Sequence, residues 1–210
     1  MKEEFTYAVV SLFGFDEPIL VEDVLAMYPG MSRQAVYKKL EAAMDEGRLA
    51  RYDRGIYYIP RQMRFGQSSP SAIQVAKRRW MEDFSGNVFG YVSGAGLANE
   101  VGISEQIPAV LEVTTNKESS RVREVTTFGG WKKILLRRPR RKITNDNVDA
   151  LRFLDLVTEE PINSMKDPTR KALSKLAAKA GRANIYECVM DYPSRTAKKL
   201  AECERCLVFA

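Results

Sequence analysis

The 210-residue chain has no histidine and only three cysteines, Cys188, Cys203 and Cys206. Without histidine there is no imidazole general base, no Ser-His or Cys-His nucleophile pair and no His-containing zinc site. Three cysteines cannot all pair, and they fall short of the four ligands of a structural zinc site. Cys203-Glu204-Arg205-Cys206 has CxxC spacing but lacks a preceding strand, so these thiols read as ordinary helical residues. Apolar runs are short too: none approaches the roughly 20 residues that a membrane-spanning helix needs. With no leader-like stretch, the expected compartment is the reducing cytoplasm, with no membrane, metal or cofactor involved.

What is present in excess is positive charge. The formal balance is +6, which favours an acidic partner such as nucleic acid. That charge is unevenly spread. Met1–Pro60 holds seven Lys/Arg against ten Asp/Glu, whereas Arg61–Ala210 holds 26 against 17. Yet six of the first region's seven basic residues fall between Ser32 and Pro60, so an acidic body would carry a positive face.

The stretch SRQAVYKKLEAAMDEGRLARYDRGIYYIP, Ser32–Pro60, organises the first region. Ser32 is a good helix N-cap, and Val36, Leu40, Ala43 and Met44 recur at helical spacing. Arg33, Gln34, Tyr37 and Lys38 occupy the other faces near the helix start, where a helix entering a major groove meets bases and phosphates. Gly47 stops the helix. Leu49–Asp53 and Ile56–Ile59 then read as strands around an Arg54-Gly55 turn, with Arg51 and Arg54 near the tip. Helices over Glu3–Phe13 and Val21–Tyr28 precede this stretch, joined by a Phe15–Ile19 linker. Three helices followed by a hairpin is the order of a winged helix-turn-helix.

Arg61–Ser71 is polar, with glycine, serines and proline, and reads as an interdomain linker. A basic amphipathic helix over Ile73–Phe84 follows, with Lys77, Arg78 and Arg79 expected on a solvated face in preference to contacting phosphates. Asn87–Ile107 suggests a strand, a glycine-rich turn and a short helix. Its glycines at 90, 94 and 96 do not have GxGxxG spacing and read as a tight strand-to-helix turn. Strands are expected over Ala109–Thr115, Arg121–Thr127 and Trp131–Leu136, with Gly129-Gly130 turning between the last two. The densest basic run comes next: Lys132, Lys133, Arg137, Arg138, Arg140, Arg141 and Lys142. It reads equally well as a second nucleic-acid face, a docking face for an acidic protein or a solvated loop. Helices are expected over Asn145–Val157, Asp167–Ala180, Asn184–Tyr192 and Ser194–Cys206, the second opening with an Asp167 cap and Pro168. The expected class is α+β. A winged helix-turn-helix over 1–62 precedes a mixed α+β domain over 72–210, with a small antiparallel sheet and a helical C-terminal part.

The chain resembles the AbiEi-type antitoxins of bacterial toxin–antitoxin systems. The resemblance rests on the hairpin Gly47–Pro60 (GRLARYDRGIYYIP), then Gly90-Tyr91-Val92-Ser93-Gly94 through Leu97 and Gly102 to Gln106-Ile107-Pro108. A strand ending Thr114-Thr115-Asn116 and the basic strand Trp131–Lys142 follow. It extends from the first region to about Val157. It implies a non-enzymatic transcriptional autorepressor that binds its own operator; since regulators often bind paired half-sites, a monomer and a dimer on such half-sites are both open. It also implies neutralisation of a nucleotidyltransferase-like toxin.

Ser32, Arg33, Gln34, Tyr37 and Lys38 are thus the candidate groove-facing set, with Arg51 and Arg54 on phosphate or minor groove. Lys132, Lys133, Arg137, Arg138, Arg140 and Arg141 form the candidate second face. Two other classes compete. One is a metal-dependent nuclease built on Glu112 and Glu124 near Lys132; the other is a protein-interaction adaptor that touches no DNA.

Overall fold

The computed structural model describes residues 2–127, 132–206 and 208–209; the side chains at 2–4, 127 and 132 fall outside that description. The chain forms two compact units, the first running to Arg79 and the second comprising 80–126 together with 132–210. Its class is mixed α+β.

In the first unit the order is α1 (Lys2–Phe13), β1 (Ile19–Leu20), α2 (Val21–Met27), α3 (Arg33–Asp45), β2 (Ala50–Asp53) and β3 (Ile56–Tyr58). The three strands form an antiparallel sheet in the order β1-β3-β2. The helical periodicity of the sequence is honoured by burial. Phe5, Val9 and Phe13 of α1 meet Val36, Leu40 and Ala43 of α3, all nearly or fully removed from solvent, in one cluster with Ile19 and Tyr57. Burial of this kind is worth about 1.5–3 kcal/mol per large side chain.

Two parts of this unit depart from the sequence reading. The Phe15–Ile19 linker runs into β1, because β3 offers an edge on which Ile19 pairs with Tyr57 and Leu20 with Ile56. Arg61–Ser71 is not a plain linker. It carries a small antiparallel hairpin, β4 (Gln62–Met63) and β5 (Gly66–Gln67). Ser68 anchors the hairpin: its hydroxyl donates to Asp16 and accepts from the Arg61 amide at 2.8 Å.

The following helix, α4 (Ala72–Trp80), belongs up to Arg79 with the first unit, where Val75 packs on Leu20 and Ile56. The expected solvated face of α4 is corrected at Arg78, which is buried and donates to Asp23 of α2 at 2.8 Å. Asp23 also accepts the Leu20 amide at 3.0 Å, so one carboxylate caps α2 and neutralises α4.

The second unit pairs a four-stranded sheet with a helical cluster. β6 (Gly90–Ser93) leads into α5 (Gly94–Glu100), then β7 (Leu111–Thr115), β8 (Arg123–Thr127) and β9 (Lys132–Arg137). Sheet order is β6-β7-β9-β8. β6 and β7 are antiparallel, but β7 and β9 are parallel, so the sheet is mixed where an antiparallel one was expected. The cause is topological. The chain leaves β7, runs to the sheet edge as β8 and returns as β9 between the two. The expected Gly129-Gly130 turn lies outside the described residues.

Four helices follow: α6 (Val148–Glu159), α7 (Asp167–Ala180), α8 (Arg182–Val189) and α9 (Ser194–Arg205). Asp167 is the first residue of α7 and not its cap, which is Lys166. α6 is the hub, packed against α5, α7, α8, α9 and β6. The sequence suggested one apolar seam, Val148, Leu151, Leu154 and Val157. Ala150, Phe153 and Leu156 are buried as well, as a helix enclosed on several sides requires. Cys188 and Cys203 lie in this core, and burial pushes the Cys203 thiol up to about 12, so it stays protonated at neutral pH. All three cysteines are free.

Candidate nucleic-acid interface

α3 begins where the sequence placed it. The Ser32 hydroxyl accepts the Ala35 amide at 3.2 Å with Ser32 in extended backbone, the geometry of an N-cap. Because Val36, Leu40 and Ala43 are fixed in the core, the helix cannot rotate. Arg33, Gln34 and Lys38 are therefore exposed and Tyr37 is half-buried. The Arg33 guanidinium lies over the Tyr37 ring at 5.9 Å and 3.4 Å from Glu22 of α2, both partners of that ion pair being well exposed. A pair so exposed adds little stability and exchanges readily for a phosphate. Among the described residues no ion pair reaches Lys38 or Arg54. The free amides of the first turn add partial positive charge at the same end.

The β2–β3 hairpin presents the other two predicted cations. Its turn is Arg54-Gly55, with Gly55 at φ +73°, a conformation that favours glycine. The Arg54 amide donates to the Asp53 carboxylate at 2.7 Å, and the Gly55 carbonyl accepts the Val21 amide at 3.1 Å, tying the turn to α2. Arg51 and Arg54 are both exposed, and the Arg51 Nε reaches the Asp53 carbonyl at 3.4 Å.

The basic run of the second unit is a different object. Lys133 pairs with Glu124 at 3.1 Å, and Arg137 grips Glu112 at 2.6 Å. Arg141 bonds Glu187 and lies 3.4 Å from Asp191. Arg138 and Arg140 are exposed, the latter over the Tyr192 ring at 5.2 Å. The side chain of Lys132 lies outside the described residues. Three of the predicted cations, Lys133, Arg137 and Arg141, are thus already paired with carboxylates, and Arg138 and Arg140 are not among the ion pairs of the described residues. Nor do Glu112 and Glu124 meet. β9 lies between their strands, a separation of about two strand spacings, ~10 Å. No group of three or more metal-ligating side chains occurs among the described residues.

The second unit also holds an open cavity of about 1080 Å³, which sequence reasoning missed. Its walls come from β6, the start of α5, β7, the segment after β9, and α6. The glycine turn has its reason here. Gly94 has φ +59°, and a Cβ at that position would lie 2.6 Å from the Glu112 carboxylate. Asp155 of α6 accepts from the Tyr91 and Tyr192 hydroxyls, both at 2.8 Å. Burial raises its pKa, and the two hydroxyls oppose that rise. The Ser93 hydroxyl, at the wall, is buried with no hydrogen-bond partner among the described residues.

No family model matches the chain, and no curated protein matches it. The residues alone carry the functional reading.

The cavity left only a faint trace in the sequence: small residues at 93–96, compatible with any tight turn. Its other walls come from segments about 20 to 100 residues away, and no local pattern joins them.

Proposed function

We propose that the first unit is a winged helix-turn-helix that binds duplex DNA, and that the protein is an autorepressor of the AbiEi-type antitoxin kind. α3 enters the major groove. Arg33 and Gln34 read base edges there, while Tyr37 and Lys38 contact the backbone. Arg51 and Arg54 of the hairpin reach phosphate or minor groove. What carries the reading is one arrangement: a capped helix exposing Arg33, Gln34 and Lys38, joined to a hairpin exposing Arg51 and Arg54. The element order and the β1-β3-β2 sheet support it, since winged modules are built this way.

The antitoxin role rests on the motif resemblance. It makes the second unit the part that neutralises a nucleotidyltransferase-like toxin, in the cytoplasm and without cofactor or catalysis.

The test is fluorescence anisotropy against duplex DNA from the protein's own upstream region, beside scrambled DNA and across a salt series. Tighter binding to the upstream duplex, falling steeply with salt and weakened by Arg51→Ala/Arg54→Ala, is expected. Equal, weak binding to both duplexes, indifferent to that change, would sink the DNA reading. The adaptor alternative has one observation in its favour. Phe65, at the β4–β5 turn, is 96% exposed, as a protein-docking side chain would be. A chain that captures its partner protein while binding no DNA would establish it.

A further inference from the structure

The cavity of the second unit has the chemistry of a ligand site. Four arginines on its walls, Arg121, Arg138, Arg140 and Arg195, have no ion-pair partner among the described residues. Two of its five acidic side chains are ion-paired, Glu112 with Arg137 and Asp191 with Arg141. Asp155, held by two neutral tyrosine hydroxyls, and Glu159 and Glu160 at the end of α6 remain, three carboxylates against four arginines. The uncompensated charge is therefore positive. Arginine offers planar, multiply donating guanidinium groups matched to phosphate oxygens. The orphaned Ser93 hydroxyl is a second, independent sign. A buried polar group without a partner costs about 1–3 kcal/mol, and a ligand oxygen or N–H would relieve that cost. The volume matches the upper end of small-molecule sites, about 300–1,000 Å³, which is room for more than a single phosphate.

We propose that this cavity binds a phosphate-bearing small molecule of nucleotide size, with Arg121, Arg138, Arg140 and Arg195 holding its phosphates. Glu159 and Glu160 supply acceptors for N–H groups on the rest of the ligand. Ser93 donates to, or accepts from, the portion nearest β6. The site uses none of the α3 and hairpin residues assigned to DNA; Arg138 and Arg140 come from the basic run of the second unit.

Isothermal titration calorimetry of the full-length protein tests it, with ATP, inorganic pyrophosphate and adenosine as probes. ATP is expected to bind saturably at one site with Kd below about 1 mM. Pyrophosphate binds if the polyphosphate alone is the determinant, and ATP binds tighter than pyrophosphate if the source is a nucleotide. Adenosine does not bind. Arg138→Ala/Arg195→Ala weakens ATP at least about tenfold, the scale of a lost charge-assisted hydrogen bond. Ser93→Ala weakens it by about fivefold while leaving the thermal midpoint unchanged or higher, because an orphaned hydroxyl is removed. Arg51→Ala/Arg54→Ala leaves ATP binding intact, so this site and the DNA reading fail separately. The proposal is overturned if neither ATP nor pyrophosphate binds, or if adenosine binds as tightly as ATP. ATP affinity unmoved by the double arginine change in a folded variant overturns it too.

Discussion

The two units place their unpaired cations differently: along α3 and its hairpin in the first, around a cavity in the second. Through Pro60 the first region is acidic by count, yet Lys38, Arg51 and Arg54 stand in solvent without an ion-pair partner among the described residues. The second holds the excess of lysine and arginine, but Lys133, Arg137 and Arg141 are taken up by Glu124, Glu112, Glu187 and Asp191. Net charge does not say where unpaired cations lie: in the second unit Arg121, Arg138, Arg140 and Arg195 also lack an ion-pair partner among the described residues. What counts is which cations lack a carboxylate of their own, since a phosphate must otherwise displace one. Burial does not separate them. Each unit holds an ion pair largely out of solvent, Arg78 with Asp23 in the first and Arg152 with Asp149 in the second, and the second also encloses the Glu118 carboxylate.

The largest expected effect probes the first of these pairs. Asp23→Ala takes a carboxylate away from the enclosed Arg78 guanidinium and from the Leu20 amide, and should cost about 3–5 kcal/mol in denaturant unfolding. The loss should be confined to the first unit, with amide-exchange protection in α6 retained. A cost under about 1 kcal/mol would mean the pair is solvated in solution.

Next comes specificity. Gln34→Ala, or Arg33→Ala, should reduce discrimination between upstream and scrambled duplex by about 1–3 kcal/mol, read by anisotropy. Equal losses on both duplexes would demote these residues to backbone contacts.

A smaller effect compares one lysine from each unit. Lys38→Ala should lower the slope of log affinity against log salt by about one. Lys133→Ala, which frees Glu124, should leave that slope alone and change stability by about 1 kcal/mol or less. Equal slopes for the two variants would break the comparison outright.

The smallest effect is a pH dependence that belongs to the second unit. Glu118 accepts the Ser119 and Ser120 amides at 3.0 and 2.9 Å and pairs with Arg123 at 2.5 Å. These contacts pull its carboxyl from 4.5 down to about 2. A depressed acid stabilises the fold above its unfolded value and loses that contribution as pH falls through its folded value. Stability from Glu118 is thus full above about 4.5 and fades towards about 2. Glu118→Gln should flatten this part of the acid limb in urea unfolding series taken down through that window. An unaltered limb would show that the carboxylate is not held as the geometry indicates.

How much was legible from sequence depended on how local the determining pattern was. α3 was readable because its cap, its apolar stripe and its exposed cations all fall within 14 residues, from Ser32 to Asp45. The hairpin was readable because Arg54-Gly55 is a turn pair followed directly by the apolar run Ile56–Ile59. β1 and the β4–β5 hairpin were not, since two-residue strands have no alternation to detect and exist only by pairing with a partner. Arg78 misled because a basic residue on an amphipathic helix looks solvated until the helix is docked against Asp23.

The sequence by itself determined which helices form, where α3 starts and which of its side chains are apolar, because backbone capping and a 3.6-residue period are local properties. It also excluded histidine chemistry by composition. The tertiary structure alone decided which cations remain free, that β9 inserts beside β7 in parallel, and that β6, β7 and α6 enclose an arginine-lined cavity. Those outcomes depend on contacts between residues far apart in the chain. Pairing a charge or closing a cavity is a relation between distant elements, and no local pattern encodes it.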